Sequence, residues 1–176
     1  MSQRIAELEL IFAIDENNVM GRDNSIPWRS PHDFKWFKKT TLDSAVVMGR
    51  KTWESLPDNS RPLPGRDNYV ITSNAAYDAP GATVVGSLQE AIEKSRQVNE
   101  LRRIFVIGGK ALLEEAAQIA NCAWVSYIGR KTPIDELCLM GPILPAHEIV
   151  TTYRLFGGNE KFPSVKVEKI AFLDLD

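Results

Sequence analysis

Apolar residues in this chain come in short runs, and most of the runs end at a turn. Residues 8–14 form one run, and residues 45–48 form another that closes on Gly49. Runs this short, bounded by polar or glycine positions, predict buried strands. Residues 68–72, 83–85, 103–107 and 122–128 continue the series. Between the runs the spacing turns helical. Ser30 suits an N-cap and Pro31 a first helical position, which predicts a helix from 31 to about 42. Asp33, Phe37 and Thr41 then share one face, with Phe34 beside them. A short helix is predicted over 51–56. Ser87-Leu88-Gln89-Glu90 reads as a capping box, with Leu88, Ala91 and Ile92 repeating at helical spacing. Leu112, Leu113 and Ala116 mark a further helix after Gly108-Gly109. Two stretches carry no period: a polar loop over 15–24, and 58–67, whose prolines and charges predict a loop. The tail alternates over Ile149, Thr151, Tyr153 and Leu155, turns at Gly157-Gly158-Asn159, and resumes at Val165 and Val167, as an antiparallel hairpin does. The apolar parity changes between Val167 and Ile170, which predicts a bulge near Glu168 or Lys169.

Strands alternating with helices and closing on a hairpin predict one α/β domain over residues 1–176. Its central sheet is mostly parallel, with about eight strands, an antiparallel C-terminal hairpin, and four helices flanking both faces. At 176 residues, 44% hydrophobic and 25% charged, the chain has the make-up of one globular unit. A net charge of −2 argues against nucleic acid as a partner. No apolar run approaches the roughly 18 residues that predict a membrane span. Glu7, Glu9 and Asp15 interrupt the first apolar run, so a signal peptide is not expected. Cys122 and Cys138 have no motif around them, and reduced thiols in the cytoplasm are expected. With only His32 and His147, no metal site is expected.

The chemistry concentrates in Asn24-Ser25-Ile26-Pro27-Trp28-Arg29-Ser30-Pro31-His32-Asp33-Phe34-Lys35-Trp36-Phe37. This segment sets one carboxylate, Asp33, at the start of a helix crowded with aromatic rings. A carboxylate in an apolar cleft resists ionisation unless a cation or a fork of N–H donors faces it. A flat ligand with an amidine-like edge, such as a pterin, meets that need. Spacing alone favours Asp33 as an N3 acid reaching back to the cap N–H, and what shifts the balance is a cofactor-type signature elsewhere in the chain.

Two strand-to-helix junctions are suited to phosphate. Gly49-Arg50-Lys51-Thr52 offers backbone N–H groups, two cations and a hydroxyl. Gly108-Gly109 lets the backbone approach a ligand closely. Each has an ordinary reading as well, a plain turn or a solvated face. There is no G-x-G-x-x-G and no G-x-x-x-x-G-K-[ST], so a dinucleotide site of another type is indicated.

Five blocks together carry a resemblance. They are Val19-Met20-Gly21 running into Ile26-Pro27-Trp28; Asp33 with Phe34 and Phe37; Val47 through Leu56; Leu63-Pro64-Gly65-Arg66; and Val106-Ile107-Gly108-Gly109. In order and spacing they resemble dihydrofolate reductase from residue 8 to about 128. The resemblance implies reduction of 7,8-dihydrofolate with NADPH as cofactor, by a cytoplasmic monomer. It implies that Asp33 binds the pterin edge and promotes protonation at N5, with Trp28 and Ser126 completing the catalytic group. Ile11, Phe12, Ala13, Phe34, Phe37, Leu56 and Leu63 would line the substrate, and Arg66 would hold its glutamate carboxylate. Arg50, Lys51 and Ser73 would lie near the adenosine 2′-phosphate, favouring NADPH over NADH. Thr52, Gly108 and Gly109 would hold the pyrophosphate, the Gly-Gly peptide being cis in this family. Ala13, Met20, Gly21, Asn24, Ser25, Gly49, Ile71, Thr72, Ile107, Lys110, Ala111 and Leu112 would complete the cofactor's surroundings. The loop 17–29 would close over the nicotinamide. Activity would fall as pH rises.

Departures gather after residue 128. Asp135-Glu136-Leu137-Cys138 replaces an Asp-Thr-x-Phe-Pro stretch, Leu113 stands for a tyrosine, Ser126 for a threonine, and Ile26 for a leucine or methionine. They are similar to those of divergent bacteriophage members. Two other readings are a riboflavin-pathway reductase, which should lack the Pro27-Trp28 to Asp33 arrangement, and a non-catalytic subunit that kept the fold. A fused thymidylate synthase is not expected in a chain of this length.

Overall fold

The structure, a computed structural model, describes residues 4–174. Ten strands and four helices run in the order β1 (Ile5–Asp15), β2 (Val19–Arg22), α1 (Pro31–Thr41), β3 (Ala45–Gly49), α2 (Arg50–Ser55), β4 (Asp67–Ile71), β5 (Thr83–Val85), α3 (Leu88–Val98), β6 (Ile104–Gly108), α4 (Lys110–Ala117), β7 (Ala120–Ile128), β8 (Cys138–Met140), β9 (His147–Phe156) and β10 (Val165–Phe172). Eight of the strands form one sheet, in the order β5-β4-β3-β6-β1-β7-β10-β9. The pairs from β5 through β7 are parallel, and β10 runs antiparallel to both β7 and β9. The expected sheet and hairpin are both present.

The apolar runs are continuous because both faces of the sheet are covered. Leu8, Leu10 and Phe12 of β1 face α3 and α4, packing with Leu88, Ile92 and Leu113. Their neighbour Ile11 points the other way, toward Trp53 of α2 and Phe37 of α1. This is strand alternation read out as two cores. The bulge expected near Glu168 or Lys169 is not on that strand: β10 pairs one-to-one with β7 there, and the extra residue is Val150 on β9, opposite Lys169 and Ile170. A second irregularity lies at Val165 and Lys166, where the apolar pattern carries no sign of it.

Residues 15–24 are not simply a loop. Asp15 is buried, and its Oδ1 accepts from the amides of Asn17 and Val19 at 2.9 and 3.0 Å. That folds a tight turn and leads into β2. This strand pairs antiparallel with β8, as a second, two-stranded sheet. Only Val19 of β2 is buried, so the strand has no apolar alternation to mark it. Glu9 is the other surprise. It lies inside β1, only 6% exposed. Its carboxylate accepts from Arg103 at 2.7 and 2.9 Å and from the Trp124 indole N–H at 2.6 Å.

Candidate active site

The cleft lies at the carboxyl ends of the parallel strands, where ligands bind in open α/β sheets. Its floor begins with β1. Register sets Ala13 opposite Ser126 and Phe12 opposite Val125 on β7. Trp28 is buried against Ala13, Ile128, Val165 and Val167, which fixes the chain just before α1. Arg130 holds the same stretch through the Pro27 carbonyl at 3.0 Å.

Helix α1 starts as its sequence dictates, with Ser30 as N-cap and Pro31 in the first turn. The Ser30 hydroxyl accepts from the Asp33 amide at 3.3 Å. The carboxylate of Asp33 is not the capping group. Among the described residues it makes no bond to the Ser30 amide and no ion pair. Burial pushes the Asp33 carboxyl above its ordinary range, while the Ser126 hydroxyl beside it stabilises the anion and pulls in the opposite direction. The result is a half-buried acid with the Ser126 hydroxyl beside it and unused acceptor capacity.

The apolar wall carries Ile11, Phe37, Leu56 and Leu63 in one cluster. Asn68 clamps the Leu63 backbone from both sides, accepting from its amide at 2.8 Å and donating to its carbonyl at 3.0 Å. Phe34 stands at the rim, 49% exposed. Arg66 closes the far end. It donates to the Thr41 hydroxyl at 3.1 Å and to the Pro64 carbonyl at 3.0 Å, with its Cζ 5.9 Å from the centroid of the Phe37 ring. Partial burial lowers its pKa, and among the described residues it has no carboxylate partner. A guanidinium so placed has the donors to hold an external carboxylate.

The second half of the cleft is made of backbone. Gly49 and Gly109 precede α2 and α4, and neither helix start has a side-chain cap. Their first amides are therefore free to meet an anion. A Cβ on Gly49 would lie 3.9 Å from the Gly109 nitrogen, so the two junctions adjoin. The Gly108-Gly109 peptide is cis, and Gly108 has φ +140°. A Cβ there would come within 3.2 Å of the Thr52 hydroxyl. Only glycine keeps this cradle open. Ile71 pairs with Gly49, which brings Thr72 and Ser73 alongside. Arg50, Lys51 and Ser73 are exposed at this edge. Lys110 points along its own helix, 4.0 Å from Glu114, and Leu112 packs against the core. Ala111 is exposed at the first turn of α4, and Ile107 is partly buried at the end of β6.

Over the cleft lies the loop with Met20, Gly21, Asn24 and Ser25. Asp23 and Asn24 both have positive φ, 48° and 58°, as the central pair of a tight turn between Arg22 and Ser25. The loop is tied down by β8 and by Arg22, which bonds Asp135 at 2.6 and 3.1 Å. The altered Asp135 region thus has a structural task. Nothing local in the sequence signals it, because the partners are 113 positions apart. Glu54 and Tyr77, beside Arg50, are also neighbours of the site that sequence reasoning passes over.

A family model described as dihydrofolate reductase matches residues 7–138. The chain is 38% identical over 135 residues to the dihydrofolate reductase of Mycobacterium leprae (strain TN), covering 77% of this chain and 80% of that protein. It is 40% identical over 121 residues to the type 3 dihydrofolate reductase of Salmonella typhimurium, with 69% and 71% covered. Among solved structures, a dihydrofolate reductase from Enterococcus faecalis complexed with NADP(H) and RAB-propyl matches with a TM-score of 0.80 and 29% identity. That match covers 95% of this chain and 96% of the other.

Proposed function

The chain belongs to the dihydrofolate reductase family, and on that footing we propose how its residues divide the reaction. The enzyme reduces 7,8-dihydrofolate to 5,6,7,8-tetrahydrofolate with NADPH, a step of one-carbon metabolism. NADPH supplies the hydride when bound; everything else falls to the chain. Asp33 accepts the 2-amino and N3 donors of the pterin on its free oxygens. Its raised pKa favours a shared proton and so biases the ring toward protonation at N5. Ser126 keeps the carboxyl oriented. Ala13, Phe12 and Ile11 form the floor, and Phe34, Phe37, Leu56 and Leu63 the walls, which exclude water from the transfer. Trp28 secures the entry to α1. Arg66 grips the terminal carboxylate.

The glycine junctions fit a dinucleotide pyrophosphate. Two uncapped helix starts adjoin, Thr52 stands beside them, and the backbone is bare where a side chain would intrude. Arg50, Lys51 and Ser73 then meet the 2′-phosphate. The loop 17–29 orders the nicotinamide side through Met20, Gly21, Asn24 and Ser25.

The observation that carries this reading is a half-buried carboxyl at Asp33 that, among the described residues, caps nothing and meets no cation, with the Ser126 hydroxyl beside it. The test is NADPH consumption with dihydrofolate by the native chain and by Asp33→Asn. Native turnover with a loss of orders of magnitude in the variant supports these roles. Equal turnover returns Asp33 to the helix as a structural residue.

We read the enzyme as a cytoplasmic monomer. Both cysteines are free thiols, which fits a reducing compartment. The edge strand β9 is bulged, a device that blunts pairing with a second copy. No helix among the described residues is long and apolar enough to cross a membrane. Gel filtration at working concentration tests the monomer.

A further inference from the structure

Arg50 is held from two sides. Its Nη1 lies 3.5 Å from Oε1 of Glu54, one turn along α2. The Tyr77 hydroxyl donates to that same oxygen at 3.1 Å. The guanidinium carbon stands 5.9 Å from the centroid of the Tyr77 ring. Tyr77 is a firm support. Its amide bonds the Asn74 carbonyl at 3.0 Å, and its ring packs against the core beneath α2. Burial and the Glu54 carboxylate both push its hydroxyl pKa up, so it stays a donor.

We propose that Tyr77, acting with Glu54, is a positioning residue for Arg50 and thereby sets the preference for a 2′-phosphorylated nicotinamide dinucleotide over its unphosphorylated form. This rests on the reading above that Arg50 meets the 2′-phosphate. A guanidinium has five N–H donors in a fixed fork. Glu54 takes one corner and the Tyr77 ring supports the side chain, which leaves the Nε–Nη2 edge for a phosphate oxygen pair. An arginine 49% exposed at a helix start otherwise loses rotamer freedom when it binds. The brace removes part of that loss in advance. Anchored by the Tyr77 hydroxyl, Glu54 is also kept from swinging toward the incoming dianion. An exposed i,i+4 pair contributes little to stability, so the consequence of the brace falls on binding. Only the phosphorylated cofactor uses the freed edge, so the effect is selective.

The test is kcat/KM for NADPH and for NADH, with dihydrofolate saturating. The proteins are native, Tyr77→Phe, Tyr77→Leu, Arg50→Gln and the double variant Arg50→Gln/Tyr77→Phe. Tyr77→Phe keeps the ring and frees Glu54, and it lowers the NADPH:NADH ratio about threefold. Tyr77→Leu also removes the ring and lowers it about tenfold, in line with an exposed cation–π contact plus the lost anchor. Values for NADH stay level in both. In the Arg50→Gln background Tyr77→Phe adds no further loss, because the two act as a unit. An equal fall for both cofactors overturns the proposal, since packing alone would do that. An unchanged ratio in Tyr77→Phe, where Arg50→Gln collapses it, also overturns it and leaves the phosphate reading standing. An unchanged ratio in Arg50→Gln removes that reading and the proposal together. Tyr77→Phe is conservative enough to fold should Tyr77→Leu fail.

Discussion

The half of the site under α1 and the half at the glycine junctions are built from opposite materials. Under α1 the contacts are side chains in fixed, largely dry positions. Asp33 and Ser126 are set by helix capping and by strand register, and the wall is part of the core. Over the junctions the groups on offer are backbone amides of two uncapped helices, with exposed cations outside them. The first arrangement suits the shape and donor pattern of one ring. The second suits charge that can be approached closely. Specific chemistry needs the buried half, and affinity for a highly charged cofactor can be left to the open half.

If the halves are separable, single changes should strike one and spare the other. The largest effect belongs to Asp33→Asn. Turnover should fall about 10²–10⁴-fold, the reach of a positioned acid, with NADPH affinity unchanged. A parallel loss of NADPH binding would break the comparison. The same variant should unfold at a higher temperature near neutral pH. A carboxyl whose folded pKa is raised costs stability as pH rises through that value, and Asn removes the cost.

Gly108→Ala probes the other half. At φ +140°, with Thr52 3.2 Å from the new Cβ, alanine is strained and crowds the cradle. NADPH affinity should fall at least about tenfold, on the roughly 1–3 kcal/mol scale of such strain. Dihydrofolate binding, measured by fluorescence quenching, should hold.

Arg66→Leu comes next. It should raise KM for dihydrofolate about tenfold and leave kcat nearly level, since a bidentate grip on a remote carboxylate is uniform binding. A matching rise in KM for NADPH would place Arg66 elsewhere.

The smallest expected effect on turnover lies beneath the first half, at Glu9, where the cost falls on stability instead. Burial pushes its carboxyl up, but bonds from Arg103, Trp124 and Cys122 outweigh that and hold it below the ordinary value of 4.5. A lowered carboxyl gives stability that is complete above its unfolded pKa and lost as pH falls through the folded one. Glu9→Gln should cost about 1–3 kcal/mol in urea unfolding at pH 7, as for a broken buried hydrogen-bonded charge that keeps one exposed partner. The cost should shrink on acidification. A difference between the two proteins that does not change with pH would mean that the Glu9 charge is not what matters.

The two halves are also unequally legible in the sequence. Side-chain chemistry announces itself by residue type, so Asp33, Arg66 and the aromatic wall can be named from spacing and resemblance. The backbone half shows only as Gly-Gly and Gly-Arg-Lys-Thr, patterns shared with ordinary turns. The parity change between Val167 and Ile170 is legible but misleads as to its cause: β10 stays regular against β7 and passes from one core, with Val165 and Val167, to the other, with Ile170 and Phe172. The β2–β8 pairing is not legible, since it rests on Asp15 turning the chain and on Arg22 meeting Asp135, contacts with no local period. Glu9 is hidden for the same reason. A glutamate inside a strand reads as a solvent-facing position until Arg103, at the entry to β6, and Trp124 of β7 close on it. Tyr77 could be suspected only by knowing which way Arg50 turns.

The measurement that tests the central claim most directly is the hydride-transfer rate in single turnovers across pH, for the native enzyme and Asp33→Asn. The native rate should fall as pH rises, because protonation at N5 and the proton on Asp33 are lost together. In the variant the inflection should move to lower pH. A flat native profile, or the same inflection in both proteins, would contradict the assignment of Asp33 as the group that governs the proton.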